Sequence, residues 1–452
     1  MADLLPSTAR TLLARTARAQ RESRVPSLLS GVVRDGALVW SGGRGAVDEP
    51  HTDVQYRLGS ITKPITAVAV MRLRDEGRLD LDDPVERHLP GVPGGARTVG
   101  QLLAHTAGLR SESPGLWWER VPGGTFDELG MTPDDVKHPA GRRFHYSNLG
   151  YGLLGELVAR LRGRAWQEVV RDEVLLPLGM TRTTARPAGR AAQGFAVHPW
   201  ADVLLPEPEE DGGAMAPAGQ LWATLADLGR FAAFLLGDTG DVLDAGTLEE
   251  MALPSGVDPS ATSWSAYGLG LQVVRHDGQT LVGHGGSMPG FLASVFVDRE
   301  QDLGTVVLCN ATSGLDPTLV ADLQATVRTA EPVIGAAWSP GPVDEAAMAL
   351  VGTWYWGTYA YGLRLRADGL LDLLGLMGAG RASRFRSRGD GTWVGLDGYH
   401  AGEVLRPVHA EGRLVALDLG TFVFSRTPYD AAAPQPGGVH PDGWGPHQAA
   451  GT

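Results

Sequence analysis

A serine and a lysine three positions apart, Ser60 and Lys63, have a spacing that suits nucleophilic catalysis. Residues i and i+3 share one face of a helix, so the lysine amine can reach the serine hydroxyl. Ser60 is a favoured N-cap type, Pro64 is tolerated in a first helical turn, and residues 65–73 are almost wholly apolar, as in a buried helix. A hydroxyl becomes a nucleophile when a base removes its proton, and a lysine of lowered pKa is such a base. The spacing therefore predicts a serine nucleophile and a lysine base at a helix start.

The same spacing also suits an N-cap serine followed by a solvated lysine with no chemical role. Lys63 and Lys137 are the two lysines among 39 basic residues, and the others are arginines. Arginine cannot be deprotonated in a protein, whereas lysine can. A lysine at position 63 therefore favours proton chemistry over the structural alternative.

Two further segments carry groups that suit the same reaction. Tyr146 and Asn148 place a phenol, which can pass protons, and a carboxamide, which can hold a substrate amide, just before a predicted helix. Residues 282–287 place His284 among glycines near a strand, where a substrate backbone can approach and backbone N–H groups can form part of an oxyanion hole. Each segment is common by itself, as a packed tyrosine or a histidine in a glycine turn. Their combination and order are much less common.

These motifs together resemble the serine β-lactamase and penicillin-binding protein family, in particular its class C-like branch, which includes D-amino-acid peptidases and β-lactamase-like esterases. The resemblance covers about residues 25–330. The family's Ser-x-x-Lys matches at 60–63 and its Tyr-x-Asn at 146–148, while its Lys-Thr-Gly is matched only by His284-Gly285-Gly286. Segments 105–109, 178–181 and 217–219 also look like this branch.

The resemblance implies Ser60 as the acylated nucleophile, Lys63 and Tyr146 as the proton-transfer pair, and the backbone N–H groups of Ser60 and Ser287 as the oxyanion hole. It also implies a substrate-binding or oxyanion role for Asn148, His284, Gly285, Gly286 and Ser287. Lysine at position 284 would suit a substrate carboxylate and β-lactam hydrolysis, whereas histidine occurs in the peptidase and esterase branches.

The function implied is a serine hydrolase that forms an acyl-enzyme from a small ester or a D-amino-acid peptide. Two alternatives stay open, namely β-lactamase or D,D-peptidase activity and a catalytically weak scaffold that binds peptides. An α/β-hydrolase would need a Gly-x-Ser-x-Gly turn, which the sequence lacks. No cluster of ligand-type residues predicts a metal, and we expect no cofactor.

The order of predicted elements indicates an α+β protein. A first helix and a hairpin around Asp35-Gly36 come first, a mostly helical middle follows, and strands with a final helix close the first domain, 1–335. The resemblance makes this domain a β-lactamase/transpeptidase-like fold, with an antiparallel sheet flanked by helices and a helical subdomain. A Pro/Gly linker, 336–345, precedes a small antiparallel β barrel-like domain, 346–427, and a tail, 428–452, predicted to be disordered.

Composition restricts the partners. The net charge of −13 argues against nucleic acid and anionic membranes, so we expect a small ester, amide or peptide substrate and no nucleic-acid or membrane partner. No apolar run has the length of a signal peptide core or a membrane span, which predicts a cytoplasmic protein. Cys309, the single cysteine, lies in an apolar run that predicts burial. The sequence leaves the oligomeric state open.

Two irregular stretches, 111–140 and 186–216, contain tryptophans. Long ordered loops often carry function, so these residues either form walls of the substrate cleft or pack the loops onto the domain. The three candidate cleft residues are Trp117, Trp118 and Trp200.

Overall fold

The computed structural model describes residues 4–261, 264–335, 337–378, 380–420 and 422–428. The chain divides into two units, with the boundary between Val333 and Ile334. The tail predicted to be disordered, 428–452, lies outside the described residues except for its first residue. Among the described residues, no helix is both long and apolar enough to cross a membrane.

The first unit is built on an eight-stranded antiparallel sheet with the order β2-β1-β12-β11-β10-β9-β8-β7. Two small two-stranded sheets, β3-β6 and β4-β5, lie outside it. The strands are β1 (Ser27–Arg34), β2 (Ala37–Gly45), β3 (Gln55–Arg57), β4 (Phe195–Val197), β5 (Leu204–Pro206), β6 (Trp222–Thr224), β7 (Gly256–Val257), β8 (Ser265–Tyr267), β9 (Gln272–His276), β10 (Gln279–Met288), β11 (Phe291–Asp298) and β12 (Leu303–Cys309).

Helices cover both faces of this sheet, which explains why its central strands are apolar on both sides. One face packs against the first and last helices through a cluster that includes Leu12, Leu323 and Cys309, so the predicted burial of the cysteine is confirmed. The other face packs against the larger core. The helices are α1 (Pro6–Glu22), α2 (Thr62–Asp75), α3 (Val99–Leu103), α4 (Asn148–Arg162), α5 (Trp166–Val170), α6 (Ala216–Gly219), α7 (Leu225–Leu236), α8 (Ala245–Met251) and α9 (Leu319–Ala330).

Helix α2 lies inside the larger core, and its residues 62–71 are all buried. A helix that is apolar on every side must be enclosed by other elements, as its sequence predicted. Helices α4 and α6 pack against it. The groups at the start of α2 are therefore held on a rigid, buried element.

The second unit is a closed antiparallel barrel in which eight consecutive strands pair in chain order. Its interior is filled by residues such as Trp354, Phe385 and Trp393, so the barrel is a packed core. Its elements are α10 (Glu345–Leu350), β13 (Gly352–Trp356), β14 (Tyr359–Leu365), β15 (Leu371–Gly375), β16 (Ser383–Ser387), β17 (Trp393–Gly395), β18 (Val404–Ala410), β19 (Arg413–Leu419) and β20 (Phe422–Ser425).

The predicted fold class is confirmed, with two local differences. The hairpin at Asp35 and Gly36 forms as predicted, because both residues adopt the positive φ of a two-residue turn. The stretch 186–216, predicted to be irregular, contains the β4-β5 hairpin. From Gly268 onward the sequence pattern predicts a strand, but residues 268–271 instead connect β8 to β9, because a turn at Gly270 reverses the chain.

Candidate active site

Ser60 lies in a single 3₁₀ turn, Gly59–Ile61, that leads directly into α2. The prediction that Ser60 caps the helix is wrong, because Ile61 occupies the N-cap position of α2 and no side chain caps it. The Ser60 hydroxyl is instead within 2.9 Å of the Lys63 amine. The i, i+3 spacing thus produces the predicted pair, and Pro64 is accommodated in the first turn.

Lys63 is fully buried, which excludes the alternative of a solvated lysine. Its amine donates to the Ala218 carbonyl oxygen at 2.7 Å, on α6. Burial lowers the pKa of Lys63 from 10.5 to about 7, against the raising effect of the negative charges of Glu112 and Glu119. Near neutral pH the amine can therefore exist in the uncharged form that accepts a proton.

Tyr146 lies beside Ser60 and Lys63. The Lys63 amine lies 4.9 Å from the centre of the tyrosine ring, and the interaction of the phenol with the Ser60 side chain lowers the pKa of Tyr146 against the larger effect of burial. Burial and the charge of Glu112 raise the pKa of Tyr146, so the phenol is protonated in the resting protein. The pKa of Lys63 is lowered and that of Tyr146 is raised, so near neutral pH the amine is the group of the two that is available to accept a proton.

His105 positions Tyr146, a role that we did not predict. Its ring packs on the tyrosine ring with centroids 4.2 Å apart, its Nδ1 accepts the Ser147 N–H at 3.0 Å, and its carbonyl oxygen accepts the His145 N–H at 2.8 Å. The backbone N–H groups of His145 and Ser147, on either side of Tyr146, are therefore both bound to His105. Burial lowers the pKa of His105 well below 6.5, so Nδ1 stays unprotonated and able to accept. The sequence indicates segment 105–109 only as a match to the family and assigns no role to His105.

His284 is buried on β10 and does not supply a positive charge. Its Nε2 is 2.8 Å from the Tyr267 hydroxyl, and its Nδ1 contacts the Gly285 carbonyl oxygen. An Nδ1–H facing that carbonyl leaves Nε2 to accept from the tyrosine. Burial, and then the charge of Lys63, lowers the pKa of His284 to about 3. The side chain at the position of the family's lysine is therefore neutral at physiological pH.

Glycines bring β10 against the Ser60 turn. A Cβ atom at position 59 would lie 2.5 Å from the Ser287 nitrogen, and one at position 286 would lie 1.9 Å from the Leu58 carbonyl oxygen. Gly59 also has a φ of +55°, which favours glycine. The backbone nitrogens of Ser60 and Ser287 are thus brought close together, because neither glycine carries a side chain to separate the segments.

The pairing of β10 determines where the Ser287 N–H points. β9 pairs with β10 only as far as Gly283, so the last residues of β10 have a free edge. Gly285 N–H points to this edge and donates to Gln272 Oε1 at 3.1 Å. Ser287 is two residues further along the strand, so its N–H points the same way, which is the geometry that an oxyanion hole needs.

Asn148 is bound through its amide nitrogen to Glu112, and its role in holding a substrate amide stays a prediction. Its Nδ2 donates to both carboxylate oxygens of Glu112, at 2.8 and 2.9 Å, and the Trp118 indole N–H donates to the same carboxylate at 2.8 Å. Glu112 itself is exposed. Its carboxylate is therefore held by these two donors, and its charge raises the pKa of both Lys63 and Tyr146. No sequence pattern pointed to Glu112 beyond its place shortly after segment 105–109.

The three tryptophans have different surroundings. Trp118 is buried, and a Cβ atom at position 219 would lie 3.3 Å from its ring, 3.1 Å from Met288 Sδ and 3.7 Å from Gly59. Trp118 is thus near the turn that carries Ser60. Trp117 is exposed and packs under the Arg120 guanidinium at 4.5 Å, while Trp200 is 91% exposed in the β4-β5 hairpin loop. Of the three, Trp118 has described contacts beside the site.

Among the described residues, no group of three or more His, Cys, Asp or Glu side chains is arranged to hold a metal ion. The residues brought together at the site carry a hydroxyl, an amine, a phenol and the backbone N–H groups of Ser60 and Ser287. This set can form and hydrolyse an acyl-enzyme.

Comparison with known families agrees with this geometry. A sequence model of the Beta-lactamase family matches residues 13–328, which is more than half of the chain. A second model, described as a domain of unknown function (DUF7586), matches residues 343–426, the barrel.

Individual proteins give a similar result. Protein flp from Staphylococcus aureus strain N315 is 24% identical over 324 residues, which span 68% of this chain and 64% of that protein. The chain therefore spans less than two thirds of the length of the curated relatives it matches first.

Two solved structures resemble the chain. An octameric penicillin-binding protein homologue from Pyrococcus abyssi has a TM-score of 0.63 at 22% identity, covering 92% of this chain and 99% of that one. A D-stereospecific amidohydrolase from Streptomyces sp. has a TM-score of 0.57 at 28% identity, covering 70% and 98%. At 22% identity the first shows the fold alone.

Proposed function

Because the chain belongs to the Beta-lactamase family, we propose that it is a serine hydrolase that cleaves amides or esters through an acyl-enzyme on Ser60. The observation that carries this proposal is the fully buried Lys63 amine, 2.9 Å from the Ser60 hydroxyl, with a pKa lowered to about 7. A base whose pKa lies near the working pH is the most effective kind for general-base catalysis.

The first step follows from these contacts. Lys63 accepts the Ser60 proton while Ser60 Oγ attacks the scissile carbonyl carbon. The backbone N–H groups of Ser60 and Ser287 then hold the oxyanion of the tetrahedral intermediate. Collapse of the intermediate breaks the bond to the amine or alcohol, which leaves with one proton, and the acyl group stays on Ser60.

Proton delivery to the leaving group involves Tyr146. Its phenol is protonated at rest and lies beside Lys63, so it can give a proton to the leaving atom and regain one from the Lys63 ammonium. Deacylation is the reverse sequence with water as the nucleophile, which restores Ser60 and releases a carboxylic acid.

The charges around the site favour one class of substrate. His284 is neutral, so the position of the family's lysine offers no cation to a substrate carboxylate. Glu112 is instead an exposed residue whose carboxylate is held by Asn148 and Trp118. A carboxylate favours a substrate ammonium group and repels a substrate carboxylate. We therefore assign substrates with a free amino group near the scissile carbonyl, such as amino-acid amides, amino-acid esters and the N-terminal residue of peptides.

The D configuration is the preferred one in this proposal. Its support is the likeness to the D-stereospecific amidohydrolase from Streptomyces sp. at 28% identity.

The nucleophile is tested by mass spectrometry after a fluorophosphonate probe. We expect one adduct on the peptide containing Ser60 and none in Ser60→Ala. Labelling at another residue, or equal labelling of the variant, contradicts the proposal.

The substrate class is tested with D-alanine p-nitroanilide, its L enantiomer, its N-acetyl derivative and nitrocefin. We expect the free D-amine to have the highest kcat/KM and N-acetylation to reduce it. Glu112→Gln should reduce the preference for the free amine over the N-acetyl substrate about tenfold. Glu128→Gln is the matched control, because Glu128 lies in the same loop region and accepts from Thr125. An unchanged preference in Glu112→Gln contradicts the role of this carboxylate, and nitrocefin as the best substrate contradicts the class.

A further inference from the structure

The barrel has one end at which its inward-facing side chains reach solvent. Alternate residues of a strand face the same side, so Trp354 and Trp356 both point inward, as do Phe422 and Phe424. Trp354 and Phe424 are buried in the barrel core, whereas Trp356 is 40% exposed. The rings of Trp356 and Phe422 pack edge to face with centroids 5.1 Å apart. We call this end, formed by Trp356, Tyr399, Phe422 and Arg381, the aromatic mouth.

The Arg381 guanidinium is inserted among these rings. Its central carbon lies 4.2 Å from the ring centre of Tyr399, 4.7 Å from that of Phe422 and 5.3 Å from that of Trp356. The rings come from separate elements, namely the end of β13, the turn before β18 and the start of β20. Three rings around one guanidinium restrict its orientation, so the group is preorganised.

Within the described part of the chain, Arg381 has no carboxylate partner, and its Nη1 is shielded from solvent without an acceptor. Other arginines of the barrel differ from it. Arg384 pairs with Asp397, and Arg426, whose guanidinium lies 3.8 Å from the Trp354 ring centre, donates to carbonyl groups of 349–353. Arg386 and Arg388 are exposed to water.

A partly buried cation without an acceptor is costly for a purely structural role, because an apolar side chain would fill the same space without desolvating a charge. A guanidinium forms its strongest hydrogen bonds with a planar oxyanion, in particular with the two oxygens of a carboxylate. Tyr399 is 60% exposed and Trp356 is 40% exposed, so both rings can also contact an apolar group.

We propose that the aromatic mouth is a binding site for a small organic carboxylate, in which Arg381 binds the carboxylate and the rings of Trp356 and Tyr399 contact the apolar part of the ligand. The packed interior of the barrel places the ligand at the mouth rather than inside it. This proposal does not rest on the proposed hydrolase function.

The test is calorimetric titration of the full Ser60→Ala chain, which cannot be acylated at that serine, with 3-phenylpropionate. The neutral isostere 3-phenylpropionamide tests the need for the charge, and acetate tests the need for the apolar part. We expect 3-phenylpropionate to bind at least about tenfold more tightly than either compound, because each lacks one of the two contacts. Equal binding of the acid and the amide, or no heat of binding at about 10 mM acid, overturns the proposal.

Variants locate the site. Arg381→Gln should weaken 3-phenylpropionate binding about tenfold or more, whereas Arg384→Gln, on the same barrel, should leave it unchanged. Circular dichroism verifies that the barrel is folded, and a change in tryptophan fluorescence on titration, lost in Trp356→Phe, gives a second readout that does not depend on Arg381. Undiminished binding in Arg381→Gln, or a fluorescence change that persists in Trp356→Phe, contradicts the assignment.

Discussion

The titration of Lys63 is the most direct test of the proposed chemistry, because the structure assigns it an unusual pKa. A shift from 10.5 to about 7 corresponds to a difference of about 5 kcal/mol between the charged and neutral forms. At pH 7 about half of the Lys63 side chains should be neutral, at pH 6 about a tenth and at pH 8 about nine tenths. An ordinary lysine would be neutral in fewer than about one molecule in a thousand at pH 7.

The composition of the chain makes this measurement simple. Lys63 and Lys137 are its two lysines, so protein grown with ¹³C-labelled lysine has two side-chain signals. Lys137→Arg leaves the Lys63 signal alone and assigns it. We expect its chemical shift to titrate near pH 7 and the acylation rate to rise with pH through the same midpoint.

Glu112→Gln provides an internal control on the direction of the effect. The charge of Glu112 raises the pKa of Lys63, so its removal should move both midpoints to lower pH. A Lys63 signal that titrates near 10.4, as in a solvated lysine, would refute the general-base role. If Glu112→Gln moves the NMR midpoint of Lys63 but not the midpoint of the acylation rate, the rate does not report the titration of Lys63.

Four further predictions follow from the contacts of the site. Lys63→Met should abolish acylation yet raise the free energy of unfolding by a few kcal/mol at pH 6, because the pKa of Lys63 is lower in the folded state than in the unfolded state. This gain in stability should shrink as the pH rises from 7 to above 10, and denaturant titrations at several pH values would show it. Tyr146→Phe should lower the pre-steady-state acylation rate by about 10²-fold without changing the circular dichroism spectrum. His105→Asn, which keeps an acceptor for the Ser147 N–H and tolerates positive φ, should retain more acylation activity than His105→Phe; equal rates would exclude this positioning role. Gly286→Ala should slow acylation strongly, because its Cβ would collide with the Leu58 carbonyl oxygen. Gly285→Ala is the control and should acylate at near the native rate, because its Cβ would meet only Gln272 Oε1, at 3.9 Å.

Several features of this protein could be predicted from local sequence. The Ser60–Lys63 contact follows from helix geometry, since residues three apart share a face. The hairpin at Asp35-Gly36 and the burial of α2 follow from turn chemistry and from an unbroken apolar run. The family and fold class were predicted from the order of the motifs, and both are confirmed.

Other features depended on contacts between distant parts of the chain. The Asn148 amide nitrogen is bonded to Glu112, 36 residues away. The lysine that defines the site is anchored by the Ala218 carbonyl, 155 residues away. Neither partner carries a local pattern, because any loop carboxylate or backbone carbonyl could occupy that place until the chain is folded.

The sequence by itself therefore determined which groups are available for catalysis and that Ser60 and Lys63 must meet, because one helical turn sets that distance. The tertiary structure decided their charge states. Complete burial lowers the pKa of Lys63, raises that of Tyr146 and keeps His284 neutral. These shifts arise from desolvation by residues far apart in the chain, and desolvation exists only once the core has formed.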